Sequence, residues 1–194
     1  MKIGLYFGSF NPIHVGHLII ANYLANNSSF DQIWLIISPQ NPLKPQRSLL
    51  NEYQRKHLVD ISIEGEKKLR SSSIEFSLPK PSYTIDTLSY LHEKYPDHEF
   101  SIIMGSDSYA NIEKWKNYKK ILSDYDIYIY SRPGVYSNSK KSDRSVFLDA
   151  PLLDISSTMI RSLIMQKKSI RYLVPDVVKE EIEANNYYKL KDPS

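Results

Sequence analysis

The chain of 194 residues contains no cysteine, which excludes disulfides, thiolate nucleophiles and thiolate metal sites together and fits a reducing, cytoplasmic setting. No apolar run approaches the roughly 18–20 residues of a membrane-spanning helix. The first apolar stretch is too short for a signal peptide and is interrupted by Gly4 and Gly8, so no membrane partner is expected. Internal repeats and low-complexity tracts are absent, and so is a dense carboxylate cluster. Charge of one sign is nearly balanced, with 25 Lys and Arg against 22 Asp and Glu, a net +3. The basic residues are scattered rather than gathered in a stripe, so the slight excess suits a phosphate-bearing small molecule as well as it suits nucleic acid. With 41% hydrophobic and 24% charged residues, the chain is long enough to bury a self-sufficient core in a single domain.

What is present is an alternation. The runs at Ile3 to Phe7, Gln32 to Ser38, Glu99 to Met104 and Ile127 to Tyr130 are short and apolar, as in strands covered on both faces. Helical spacing follows at His14 to Asn26, at Asn51 to Ile63 through Tyr53, His57, Leu58 and Ile61, and from Ser82 through Ile85, Leu88 and Leu91. Ser73 to Leu78 alternates as a further strand would, and Val146 to Leu148 and Leu152 to Ile155 are shorter strand candidates. Ser156 and Pro175-Asp176 carry helix-start signals. The pattern predicts a doubly wound, Rossmann-like α/β sheet with its ligand crevice beyond the carboxyl ends of the strands. Residues 1–155 form the nucleotide-binding core of this expected domain, and 156–194 a C-terminal helical part. The turns at Gly8, Pro39, Gly105 and Arg132 each follow a strand and are expected to line the crevice.

The stretch KIGLYFGSFNPIHVGH brings a strand, a small-residue turn and a helix start together. Free backbone N–H groups and the positive end of a helix dipole then converge on one point, which is an anion site. His14 and His17 lie one helical turn apart and share a face. They can fill or cap the helix start, or donate to phosphate oxygens; beside such a turn the second role is the stronger expectation, with bound phosphate favouring their protonated forms. No third ligand is placed near them for a metal.

GSFNPIHVGH and ISSTMIR resemble the two motifs of the HxGH nucleotidyltransferases. PSYTIDTL, GSDSY followed by Trp115, SRPG at Ser131 to Gly134 and YLVPDVV narrow the resemblance to the bacterial nicotinate-nucleotide adenylyltransferase family over nearly the whole chain. Asn11 replaces the aspartate usual there, removing a charge, and Pro42-Leu43-Lys44 replaces a longer loop with His-Lys, leaving Lys44 as the equivalent lysine. The resemblance implies transfer of AMP from ATP to nicotinic acid mononucleotide, with Mg2+ accompanying ATP. It implies phosphate-stabilising roles for His14, His17, Lys44 and Arg161. ATP is expected at Gly8, Ser9, Phe10, Asn11, Gly105, Asp107, Arg132, Ile155, Ser156 and Ser157, although Ser156, Ser157 and Asp107 also suit ordinary helix capping. Trp115 would stack on the nicotinate ring, and the Tyr83 and Thr84 N–H groups at a helix start would take its carboxylate. Alternatives are an HxGH enzyme with nicotinamide mononucleotide or phosphopantetheine as acceptor and, less favoured, a nucleic-acid-binding domain. Homo-oligomer formation is left open.

Overall fold

Six strands, each parallel to its neighbours, form one sheet in the order β3-β2-β1-β4-β5-β6. The computed structural model describes residues 1–40, 49–132, 140–151 and 154–189. In chain order the elements are β1 (Lys2–Gly8), α1 (Val15–Asn27), β2 (Gln32–Ile37), α2 (Glu52–Ser62), β3 (Leu69–Ser72), α3 (Thr84–Lys94), β4 (Glu99–Gly105), α4 (Ser106–Ala110), α5 (Tyr118–Asp124), β5 (Ile127–Tyr130), β6 (Ser145–Leu148), α6 (Ser157–Met165) and α7 (Asp176–Ala184). Short 3-10 turns occupy Ile74–Ser77 and Ile112–Lys114.

Period-two alternation sorts the strand side chains into two cores. Ile33, Leu35 and Ile37 of β2 face a layer that includes Ile20, Leu24, Leu58, Ile160, Val178 and Ile182, drawn from α1, α2, α6 and α7. Trp34 and Ile36 face the opposite layer, with Ile85, Leu88 and Leu91 of α3 and Ile121 of α5. The strands therefore read as continuous apolar runs because both faces are covered. β1 to β3 build outward on one side and β4 returns to lie beside β1, so the switch point falls between β1 and β4. Gly8 and Gly105 end those two strands, which sets the crevice between them as the alternation predicts.

Three expectations change. The edge strand is Leu69–Ser72, paired with Ile33 to Ile36, and the Ser73 to Leu78 alternation belongs to a 3-10 turn in which the Phe76 N–H donates to the Ser73 carbonyl at 2.9 Å. An edge strand holding one buried apolar residue, Leu69, lacks the pattern of its neighbours. α2 buries Arg55, Leu58 and Val59; of the expected Tyr53, His57, Leu58 and Ile61 face, Leu58 is buried and Ile61 packs against the core, while Tyr53 is 67% exposed. Of the Leu152 to Ile155 candidate, residues 152 and 153 lie outside the described residues, and Asp154 and Ile155 are not in a strand.

Candidate active site

The turn after β1 is built from the inside by a buried arginine. Arg55 of α2 is 0% exposed, and its guanidinium donates to the carbonyls of Ser9 (2.5 Å), Ser38 (2.9 Å), Pro39 (3.2 Å) and Leu50 (2.8 Å). It thereby ties the turns that follow β1 and β2 to each other. Phe10 folds back into the core with a positive φ of 44°. A side chain at Gly8 would place its Cβ 2.8 Å from that ring, so glycine is required by close approach. Asn11 is buried and its Oδ1 accepts from the Leu50 N–H at 3.1 Å, an acceptor role that an amide fills without a charge.

His14 is the N-cap of α1 and His17 stands in its first turn. Their rings stack at 3.6 Å with an interplanar angle of 24°. The His14 backbone N–H donates to His17 Nδ1 at 3.3 Å, which assigns the proton of a neutral His17 ring to Nε2. Gly16 makes room for this stack, since a Cβ there would sit 3.1 Å from His14 Nδ1. His14 is 4% exposed, and burial, helped by the Arg132 guanidinium, lowers its pKa to about 4. Without a phosphate beside it His14 is thus neutral near pH 7.

Arg132, Tyr130, Tyr6, His14, His17 and Ile155 line one narrow cleft. Arg132 is held over it by three contacts. Its Nη2 donates to the Tyr130 hydroxyl at 3.1 Å, its backbone N–H donates to Ser106 Oγ at 3.0 Å, and its Nε lies 3.4 Å from Asp107 Oδ1. Tyr6, whose phenol is kept protonated by burial, donates to the same Tyr130 oxygen at 3.1 Å. At Gly105 a Cβ would meet Asp107 Oδ1 at 2.5 Å and Arg132 Nε at 2.9 Å, so this glycine is what lets the pair close across the end of β4.

The second motif folds onto the first. Ser157 Oγ donates to the Pro12 carbonyl at 2.8 Å and Arg161 Nη1 to the Asn11 carbonyl at 2.7 Å, clamping the start of α6 to the β1 turn. Arg161 Nη2 also reaches Thr158 Oγ1 at 3.2 Å. Ser156 caps α6 by accepting from the Met159 N–H. The Ser157 hydroxyl is therefore engaged by the turn, whereas Ser156, which only accepts as a cap, keeps its O–H to donate, alongside the N–H groups of the first turn of α6.

Tyr83 is the extended N-cap residue of α3 and makes no side-chain cap, and Thr84 opens the helix. Trp115 closes the 3-10 turn after α4 and packs, half-buried, against the same core layer as Tyr83. Lys116 holds its Nζ 4.9 Å over the Tyr83 ring while pairing with Asp86 at 2.8 Å. Because α3 follows β3 in a parallel sheet, its N-terminus lies at the carboxyl edge, as do the Gly8 and Gly105 turns. Lys44 lies outside the described residues. Among the described residues no three His, Asp or Glu gather as a metal site, and no helix is long and apolar enough to cross a membrane.

Sequence reasoning missed Tyr6, Gly16, Arg55 and Tyr130. Gly16 had a local signal, since a glycine in the first turn of a helix costs stability unless space requires it. Arg55 and the tyrosines had none, because their partners are distant in the chain.

The turn after β1 and the start of α6, joined at the switch point of a parallel sheet, define a doubly wound α/β fold, and the chain belongs to the cytidylyltransferase-like family, whose model matches residues 5–163. Within it the chain falls in the nicotinate-nucleotide adenylyltransferase family. A Cytophaga hutchinsonii protein named a probable nicotinate-nucleotide adenylyltransferase is 51% identical over 189 residues, covering 97% of this chain and 98% of its own length. A Flavobacterium psychrophilum protein of the same name is 49% identical over 192 residues, with 97% and 100% covered. The fold matches that of the Plasmodium falciparum nicotinic acid mononucleotide adenylyltransferase complexed with NaAD, at a TM-score of 0.85 and 23% identity over 96% of this chain and 97% of that one.

Proposed function

We infer that the chain joins ATP and nicotinic acid mononucleotide, releasing pyrophosphate and forming the deamido dinucleotide. The observation that carries the reading is the Ser157–Pro12 and Arg161–Asn11 clamp, which sets two phosphate-facing helix starts, those of α1 and α6, against one turn. A phosphate oxygen of the mononucleotide attacks the α-phosphorus of ATP, a new P–O bond forms, and the bond from the α-phosphorus to the bridging oxygen breaks to release pyrophosphate. No protein nucleophile is required, because a phosphate monoester is already largely ionised near pH 7. The protein's work is alignment and stabilisation of charge on the transferred and departing groups.

In this reading His14 acts first as a neutral N–H donor beside His17, and Arg132, Arg161 and Lys44 supply positive charge. Gly8, Ser9, Phe10, Asn11, Gly105, Asp107, Ile155, Ser156 and Ser157 shape the ATP side. Residues 1–155 provide the sheet and 156–194 the second arm of the clamp. ATP enters as its magnesium complex. With no carboxylate cage among the described residues, the ion's ligands are phosphate oxygens and water, the usual preference of magnesium beside phosphates. Tyr83 and Thr84 present N–H groups to the acceptor's carboxylate, with Trp115 against its ring.

A carboxylate gains charge-assisted hydrogen bonds and a favourable dipole at the α3 start, which a neutral amide gains only weakly. The preference for the acid should therefore be about tenfold or more. Pyrophosphate release from ATP and magnesium, measured with nicotinic acid mononucleotide, nicotinamide mononucleotide and phosphopantetheine in parallel, tests this. Faster turnover with either of the last two overturns the acceptor assignment. Release from none, together with a salt-sensitive gel shift of RNA, would favour nucleic-acid binding.

A further inference from the structure

Glu75 is a carboxyl in the wrong place for a solvated charge. It sits in the 3-10 turn Ile74–Ser77 and is 1% exposed. Its Oε1 accepts from the Thr87 hydroxyl at 2.8 Å, whereas Oε2 is enclosed with no hydrogen-bond partner among the described residues, as is Ser82 Oγ. The polar groups facing the carboxyl are the hydroxyls of Thr87, Ser82 and Ser38. An unpaired buried carboxylate would be costly, and burial pushes this carboxyl's pKa up, toward the neutral form that both donates and accepts.

The three hydroxyls belong to the parts of the fold that set the acceptor side. Ser38 follows β2, Ser82 precedes the Tyr83 N-cap, and Thr87 lies one turn into α3, where its Oγ1 is also 3.4 Å from the Tyr83 carbonyl. The Ser82 N–H donates to the Gln40 carbonyl at 3.2 Å, so this segment is fastened to the turn after β2 from its backbone as well. Tyr83 and Thr84 are thus bracketed by two residues that face one carboxyl. An apolar residue would fill the space as well; what it could not do is fix the register of the α3 start against β2.

We propose that Glu75 is a positioning residue for the acceptor, holding the first turn of α3 through Ser82 and Thr87 so that the Tyr83 and Thr84 N–H groups meet the substrate carboxylate. The proposal rests on the acceptor-side reading of Tyr83, Thr84 and Trp115.

The test is steady-state kinetics of Glu75→Ala, Glu75→Gln and Ser82→Ala with each substrate varied in turn. Glu75→Ala should raise KM for nicotinic acid mononucleotide about tenfold or more, since ångström-scale misplacement of a binding group has effects of that order, while KM for ATP stays within about twofold. Glu75→Gln, neutral and of the same shape, should recover most of the loss. Ser82→Ala removes a smaller group and provides the same KM split if Glu75→Ala does not fold. Equal changes in both KM values, or a loss of melting temperature with both KM values unchanged, would overturn the proposal, as would Glu75→Gln being as damaged as Glu75→Ala. Trp115→Ala separates the two layers of the argument. If it raises the acceptor KM while Glu75→Ala and Ser82→Ala do not, only the positioning role fails; if none of the three moves that KM, the acceptor-side reading fails too.

Discussion

At the scale of single residues, the histidine pair shows how burial decides what a residue type contributes. The spacing of His14 and His17 is visible in the sequence, but the neutrality of His14 depends on enclosure and on Arg132, which the chain brings in from the far side of the sheet. Its pKa of about 4 lies below the unfolded value of 6.5, so between those values the unfolded chain binds a proton that the folded chain refuses. Stability is accordingly unaffected by this group above pH 6.5 and declines as pH falls toward 4. From pH 7.5 to 5 the loss is about 2 kcal/mol, or about 4–8 °C in melting temperature for a chain this size. His14→Gln cannot titrate and should show a correspondingly smaller drop across that range in thermal denaturation. An unchanged drop would mean that His14 is not the group responsible. Gly16 belongs to the same scale: its reason for being glycine is a 3.1 Å approach to the His14 ring, a contact that exists only once the rings are stacked.

At the scale of elements, α2 and the edge strand are where pattern and structure part. Apolar spacing selects Tyr53, His57, Leu58 and Ile61, yet the buried face carries Arg55 beside Leu58, because four carbonyls at the ends of two turns converge there and need donors. A periodicity argument counts an arginine as polar and turns it outward. Arg55→Met keeps much of the volume and removes every donor. Leaving those carbonyls unsatisfied should cost about 3–5 kcal/mol, a fall of roughly 6–20 °C in melting temperature. A loss below about 1 kcal/mol in chemical denaturation would show that the carbonyls are satisfied by other means. The β3 strand escaped notice for a related reason: an edge is defined by its backbone pairing with β2, and three of its four residues are polar. α3 and the central strands were legible because each buries enough apolar surface to impose its own period, whereas in α1 the expected face of Val15, Leu18, Ile19, Tyr23 and Leu24 gives way to Ile20, Ala21, Leu24 and Ala25, with Ile19 37% exposed.

At the scale of the whole molecule, the described residues beyond 155 are part of the main core. Ile160, Ile170, Val174, Val178 and Ile182 are all buried in the layer shared with α1 and α2, and the Val15 N–H that opens α1 donates to the Leu173 carbonyl at 3.0 Å. Five such side chains at about 1.5–3 kcal/mol each amount to about 8–15 kcal/mol, comparable to the net stability of a typical domain. A chain ending at residue 155 should therefore show no cooperative thermal transition, whereas a folded, cooperatively melting fragment would make the C-terminal part a separable appendage. The doubly wound class, the switch-point crevice and the strand-turn-helix form of GSFNPIHVGH follow from local chemistry, since strand burial, helix starts and turn residues are written in neighbouring positions. The neutrality of His14, the arginine behind the turns, the clamp between Pro12 and Ser157 and the carboxyl beneath α3 were decided only on folding. Each depends on desolvation and on partners brought in from other elements, and neither is expressed in the spacing of residues along the chain.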